Sequence, residues 1–202
     1  LEKFYDVYKV SSEHDNLKYL DALMIVHPQN LGQKLQENIR DYSLSGGKVL
    51  AFFDVATEAQ QIYAPVTSMF TASDYGILPK AWGIRFVDKG VVADLGNSSF
   101  VDATKDYASN PEFTQDAIQF YVRNDGFVRQ SRIVANLKKM LVTSASIFVP
   151  EKDAKIKFEP LLVAGKNSQL MSAKVVYDRI VPAVILRNFK ADNKAKVLSA
   201  RI

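Results

Sequence analysis

The 202-residue chain contains no cysteine. That absence excludes disulfides, a thiolate nucleophile and thiolate-ligated metal centres, and leaves the redox compartment open. Histidine is almost as scarce, with only His14 and His27, so imidazole-based zinc chemistry and imidazole general bases have few sources. No apolar run approaches the roughly 20 residues needed to cross a bilayer; the longest, residues 20–26 and 49–53, are strand-sized. No charged-then-apolar leader opens the chain. The formal charge of +4 is small, and the basic residues alternate with acids or apolar residues, as in Lys152/Lys155/Lys157 and Lys190/Lys194/Lys196. A nucleic-acid surface concentrates its cations on one face, so none is expected here. The first residue, Leu1, and the last three, Ala200-Arg201-Ile202, lead us to expect a segment of a longer protein whose membrane anchor lies elsewhere.

The order of elements is legible from apolar periodicity. Residues 4–10 alternate and predict an edge strand. Residues 20–26, apolar apart from Asp21, end in His27-Pro28 and predict a strand buried on both faces. Asn30 is placed to cap a helix, with Gln33 as its reciprocal partner. Leu31, Leu35, Ile39 and Tyr42 then give one apolar stripe, and Gly46-Gly47 ends it because glycine tolerates the left-handed cap conformation. Residues 49–53 predict a second buried strand ending at Asp54. This strand–helix–strand unit implies a parallel pair with a right-handed crossover.

Beyond it, residues 57–73 mix a short helix with a loop, and residues 78–83 read as a helical turn closed by Gly83. Residues 84–92 are β-rich, with Asp88-Lys89-Gly90 as an interruption. Residues 97–111 read as loop. Residues 117–122 predict a strand entering the turn Asn124-Asp125-Gly126, and residues 131–137 a short helix. Residues 140–149 and 158–163 predict strands, the latter followed by the polar turn Gly165-Lys166-Asn167-Ser168. Residues 181–186 predict one more buried strand, with Pro182 near its start where a missing N–H is tolerated. One domain over residues 1–202 is the simplest organisation; the polar stretch 97–110 is the alternative boundary between two lobes.

Three chemistries can be tested on the residues. A P-loop needs glycines and lysine at a helix N-terminus, whereas Gly46-Gly47-Lys48 closes a helix. A metal site at His27 and Asp54 lacks a third clustered ligand. A nucleophilic serine would depend on His27, the one imidazole at a strand end, where open α/β sheets place their ligands.

The succession from the strand ending in His27-Pro28, through Ser45-Gly46-Gly47-Lys48-Val49-Leu50-Ala51-Phe52-Phe53-Asp54, to Ala81-Trp82-Gly83-Ile84 and Val91-Val92-Ala93-Asp94 resembles the auxiliary component of the ABC-type transport system linked to gliding motility. Residues 159–168 are similar to a second recurrent block of that family. The resemblance implies a three-layer α/β/α, flavodoxin-like fold akin to class I glutamine amidotransferases, with a mixed, mainly parallel sheet and a strand-rich second half. It also implies an extracytoplasmic, periplasmic location, a parent anchored by transmembrane helices outside this chain, and work beside ABC permease and ATP-binding subunits.

The resulting expectation is a non-catalytic binding domain without cofactor or metal. It would contact a transporter subunit, an envelope component or an exported substrate. A glutaminase is ruled out by the missing cysteine. The alternative is a degenerate hydrolase using a serine or a metal-bound water. The candidate binding residues are His27, Pro28, Asp54 and Thr57 at strand ends, and Lys166, Asn167 and Ser168 in the polar turn.

Overall fold

The computed structural model describes residues 1–11, 14, 16–57, 72–87, 89–102 and 112–202. The chain falls into two compact units, one made of Leu1–Phe53 with Asp74–Trp82, the other of Asp54–Ser73 with Gly83–Ile202.

The first unit is the strand–helix–strand motif. Strand β1 (Leu23–Val26) pairs in parallel with β2 (Val49–Phe52), in the register Leu23↔Val49 to Val26↔Phe52. Helix α1 (Gln33–Leu44) joins them and buries Leu35, Ile39 and Tyr42, three members of the predicted stripe. Those side chains pack with Leu17, Leu23, Ile25 and Leu78 into one core. The C-terminus of α1 follows the expected glycine logic. Gly46 sits at φ 96°, and the Gly47 N–H returns to the Tyr42 carbonyl at 2.9 Å. A Cβ on Gly47 would stand 2.5 Å from the Tyr42 ring, so only glycine fits there.

The N-terminus of α1 differs from expectation. Gly32 is the N-cap and no side chain caps it. Asn30 instead takes a left-handed φ of 54° in the preceding loop.

The two strands are not buried on both faces. Met24 and Val26 are 47% and 60% exposed, Leu50 and Phe52 55% and 48%. In a two-stranded sheet only alternate residues, here Leu23 and Ile25, can face the single core. The predicted strand at residues 4–10 does not form: a turn closes from the Phe4 and Tyr5 N–H groups to the Leu1 carbonyl, at 2.9 and 3.1 Å. Helix α2 (Leu78–Ala81) is the predicted helical turn. It presents Trp82, which stacks on Phe53 and donates its indole N–H to Ser43 Oγ at 2.8 Å.

The second unit is strand-rich and antiparallel. Strand β3 (Ile84–Phe86) pairs with β8 (Phe148–Pro150). Strand β4 (Gly90–Asp94) pairs with β10 (Ser168–Ser172), and β9 (Glu159–Ala164) with β11 (Lys196–Arg201). Strands β5 (Ser98–Asp102), β6 (Phe113–Arg123) and β7 (Lys139–Thr143) form a three-stranded meander. All five residues of β4 are buried. Its pleat sends Val91 and Ala93 into one core with Ala117, Ile118 and Ile185, and Val92 into a second with Phe120, Val122, Phe127 and Leu161.

This organisation overturns the three-layer α/β/α, flavodoxin-like expectation. Among the described residues the β1–β2 pair is parallel, and every other ladder is antiparallel and sits in a small sheet. Helices α1, α2, α3 (Lys174–Tyr177) and α4 (Pro182–Asn188) span 12, 4, 4 and 7 residues, too little helix to cover two faces of a large sheet. Residues 181–186 account for part of the error. They form α4, not a strand, because Pro182 occupies the first helical position, where its fixed φ and missing N–H are favourable.

Three smaller expectations also change. The stretch 97–111 contains β5, residues 131–137 make successive turns without a helix, and residues 140–149 break into β7 and β8 at Ser144, whose φ is 50°. The reading of residues 58–71 lies outside the described residues. The interruption between β3 and β4 and the strand running into Asn124–Gly126 are as predicted, although those last three residues form a 3-10 turn.

Candidate functional site

In the first unit, β1 ends in His27, whose N–H reaches the Phe52 carbonyl at 3.0 Å while its backbone turns to φ 40°. The Gln29 amide donates to His27 Nε2 at 3.1 Å and to the Pro28 carbonyl at 3.0 Å. Pro28 is buried, and its carbonyl also receives the Asp74 N–H at 2.8 Å. Asp74 in turn accepts the Leu31 N–H at 2.8 Å. Gln36 closes the lattice: its amide donates to the Leu31 carbonyl at 2.6 Å and its Oε1 accepts from Ile77 N at 3.0 Å. Asp74 and Gln36 thus fix the loop that leads into α1, while no side chain caps the helix itself. Periodicity could not single them out, because the pairing spans about 40 residues of chain.

Asp54 and Thr57 belong to the second unit. The Asp54 N–H donates to Ser73 Oγ at 2.8 Å, and the Ser73 N–H returns to the Asp54 carbonyl at 2.7 Å. Thr57 is 5% exposed. Pro28 and Thr57 are therefore suited to holding backbone in place, while the partly exposed His27 and Asp54 side chains are the accessible members of this set.

The turn Gly165-Lys166-Asn167-Ser168 lies in the second unit between β9 and β10, and it borders a cleft of about 180 Å³. The organiser of this region is Asp94, the last residue of β4, which is fully buried. Its Oδ1 accepts the Asn97 N–H at 3.0 Å; its Oδ2 accepts the Asn97 side-chain amide at 3.0 Å and the Gly165 N–H at 2.6 Å. A buried carboxylate is tolerated only with such donors. The result ties the end of β4 to the polar turn. The Leu95 N–H adds a bond to the Asn167 carbonyl at 3.0 Å.

Ser168 is also fully buried. Its hydroxyl donates to the Gly165 carbonyl at 2.5 Å, and its two oxygens receive Lys196 Nζ, each at 3.2 Å. Lys196 is 3% exposed; it completes its set with Asp192 Oδ1 at 2.5 Å and the Lys194 carbonyl at 2.9 Å. The Lys196 ammonium and the Lys194 N–H hold the Asp192 carboxyl below its usual range.

Ser168 is thus a structural residue, whereas Lys166 and Asn167 are exposed. The same cleft is lined by Tyr121 and Arg123 of β6 and by Asp125 of the following 3-10 turn. The Arg123 guanidinium lies 4.8 Å from the Tyr121 ring centroid, and Lys139 Nζ lies 3.8 Å from it.

The candidates thus fall into three sets: His27 and Pro28 with Gln29 and Asp74; Asp54 and Thr57, the former bonded to Ser73; and Lys166, Asn167 and Ser168 in the turn held by Asp94. Asp94, Arg123 and Tyr121 were missed as site residues. The signal for Asp94 was present as a carboxylate that ends an apolar run and is followed three residues later by Asn97, a pattern that favours an Asx-type turn. Arg123 and Tyr121 carried no local signal.

Among the described residues no three His, Asp or Glu side chains gather into a metal-binding group, and no helix is long and apolar enough to cross a membrane. A family model described as ABC-type uncharacterized transport system matches residues 1–202. No curated protein and no solved structure matches the chain.

Proposed function

We propose a binding role from one premise: this chain belongs to the ABC-type uncharacterized transport system family. It serves as a non-catalytic auxiliary component that contacts the permease or ATP-binding subunit of its system. The finer setting goes with this proposal: a gliding-motility-type transporter, with the domain on the periplasmic face beside a membrane anchor carried outside these residues. The sequence resemblance supports that setting.

The observation that carries the binding role is the cleft of the second unit. A fully buried Asp94, saturated by three N–H donors, ties the Gly165 backbone to Asn97 beside the exposed Lys166. A backbone held in this way is how proteins pre-organise the base of a recognition surface. The accessible members of the candidate set, Lys166 and Asn167 at the cleft and His27 and Asp54 at the chain segments described above, make the contacts. Pro28, Thr57 and Ser168 hold the backbone that presents them.

The test is purification of the full-length protein from detergent-solubilised membranes together with tagged permease and ATP-binding subunits. Co-elution that is lost on Lys166→Glu, with the variant's thermal melting unchanged, is the expected result. A chain that never co-elutes with either subunit refutes the role. Turnover of an amide or ester by the purified chain, abolished by a substitution at His27, would refute its non-catalytic character.

A further inference from the structure

We infer that the cleft bordered by Lys166, Arg123 and Tyr121 binds an oxyanionic group, a phosphate or a carboxylate. The inference deepens the proposed binding role, resting on this cleft as the binding site and giving its ligand a chemistry.

The first argument is a like-charge pair on the exposed face of the sheet. Arg123 and Lys139 are directly opposite one another in the β6–β7 ladder, and like charges in that position repel. Both lean on the face of Tyr121, at 4.8 and 3.8 Å from its centroid. The ring's negative face offsets part of the repulsion, but a cation–π contact neutralises no charge. Lys166 lines the same cleft as Arg123. None of the three makes an ion pair among the described residues.

Two carboxylates also line the cleft, and neither answers these cations. Asp94 has spent both oxygens on Asn97 and Gly165. Asp125 is exposed and forms no salt bridge with Arg123 or Lys166. Arg123 and Lys166 thus have no ionic partner among the described residues, and an oxyanion within reach of both would receive charge-assisted hydrogen bonds from them.

Size gives the second argument. About 180 Å³ corresponds to roughly six waters at ~30 Å³ each and falls short of the ~300–1,000 Å³ of pockets that enclose a drug-sized ligand. The cleft takes one small charged group, either a free ion or the head of something larger that stays outside.

The experiment is a titration of the 202-residue chain, followed by amide NMR, with inorganic phosphate and with acetate against chloride at constant ionic strength. We expect saturable shifts centred on the amides of Gly165, Lys166, Arg123 and Gly126. Arg123→Gln and Lys166→Gln should each weaken binding roughly tenfold, as loss of one charge-assisted bond predicts. Lys166→Arg should retain binding, and Lys152→Gln, outside the cleft, should leave it unchanged. Phosphate and acetate arms of different affinity would say which oxyanion is preferred.

Shifts that never saturate overturn the inference, as do shifts scattered over the surface or weakened equally by Lys152→Gln. Co-elution with the transporter subunits combined with a cleft that ignores both anions would refute the oxyanion and keep the binding role. Anion binding by a chain that captures neither subunit would do the reverse.

Discussion

Asp94→Ala is the substitution that most directly tests how the second unit is held together. The carboxylate is fully buried and receives three N–H donors, from Asn97 N, Asn97 Nδ2 and Gly165 N, at 3.0, 3.0 and 2.6 Å. Removing it leaves those donors facing a small void. A buried donor without a partner costs about 1–3 kcal/mol, and the Asn97 side chain can turn away, so about 3–5 kcal/mol is expected in total. That is a large part of the ~5–15 kcal/mol that stabilises a typical domain.

Asp94→Asn isolates the chemistry from the void. A carboxylate accepts on both oxygens, whereas an amide must place its NH2 against one of the existing donors. One contact becomes a donor–donor clash, worth about 1–3 kcal/mol. Urea unfolding followed by circular dichroism gives both values, read as a shift in midpoint at unchanged slope. Asp125→Ala serves as the control: this exposed carboxylate at the same cleft should change stability by less than ~0.5 kcal/mol. If Asp94→Ala also stays within ~0.5 kcal/mol of the parent, the Asp94 lattice does not hold the cleft.

Two further substitutions follow from buried charge. Desolvation raises the Asp116 carboxyl above its usual range, against the lowering effect of the Ile118 and Gln119 N–H bonds. A raised carboxylate favours folding below its unfolded value, and that contribution disappears as pH rises through the folded value. Asp116→Asn keeps an oxygen for the Ile118 and Gln119 N–H groups, both of which meet Oδ1. It should therefore be at least as stable as the parent at pH 7 and lose that advantage towards pH ~4, the unperturbed carboxyl range; thermal melts across pH check this, and a gap that widens on acidification refutes it. Lys196→Met removes the ammonium that Asp192, Ser168 and Lys194 share. Asp192 is exposed and can be solvated, so a loss of about 1–3 kcal/mol in urea unfolding is expected, the scale for leaving the buried Ser168 oxygens without their donor, and a neutral result would show that methionine packing replaces the lattice.

Several local features are legible in the order of residues alone. The α1 stripe, its Gly46-Gly47 end and the parallel pairing of β1 with β2 follow from spacing and glycine chemistry within about 30 consecutive residues. The interruption ahead of β4 and the strand running into Asn124-Asp125-Gly126 are legible for the same reason. The short apolar runs mislead. Residues 20–26 and 181–186 look alike as strings of Leu, Val and Ile, yet one contributes a strand with a single buried face and the other a helix begun by Pro182. Periodicity cannot separate a buried strand from a buried helix segment at that length.

The polar turn after residues 158–163 was legible from its residues, but the three-layer fold that the family resemblance implied did not follow. Which strands become neighbours depends on pairing between distant segments. The partner of β4 is β10, nearly 80 residues on.

The sequence alone determined what chemistry is open to this chain. With no thiol and two imidazoles, thiolate chemistry is closed to it, since composition limits which reactive groups are present whatever the fold. Tertiary structure alone decided which polar side chains gather in the second unit. Arg123, Tyr121, Lys139 and Lys166 come from β6, β7 and the β9–β10 turn, and Asp94 reaches across 71 residues to hold Gly165. Side chains that far apart in the chain are brought together by strand pairing and burial, which no local pattern encodes.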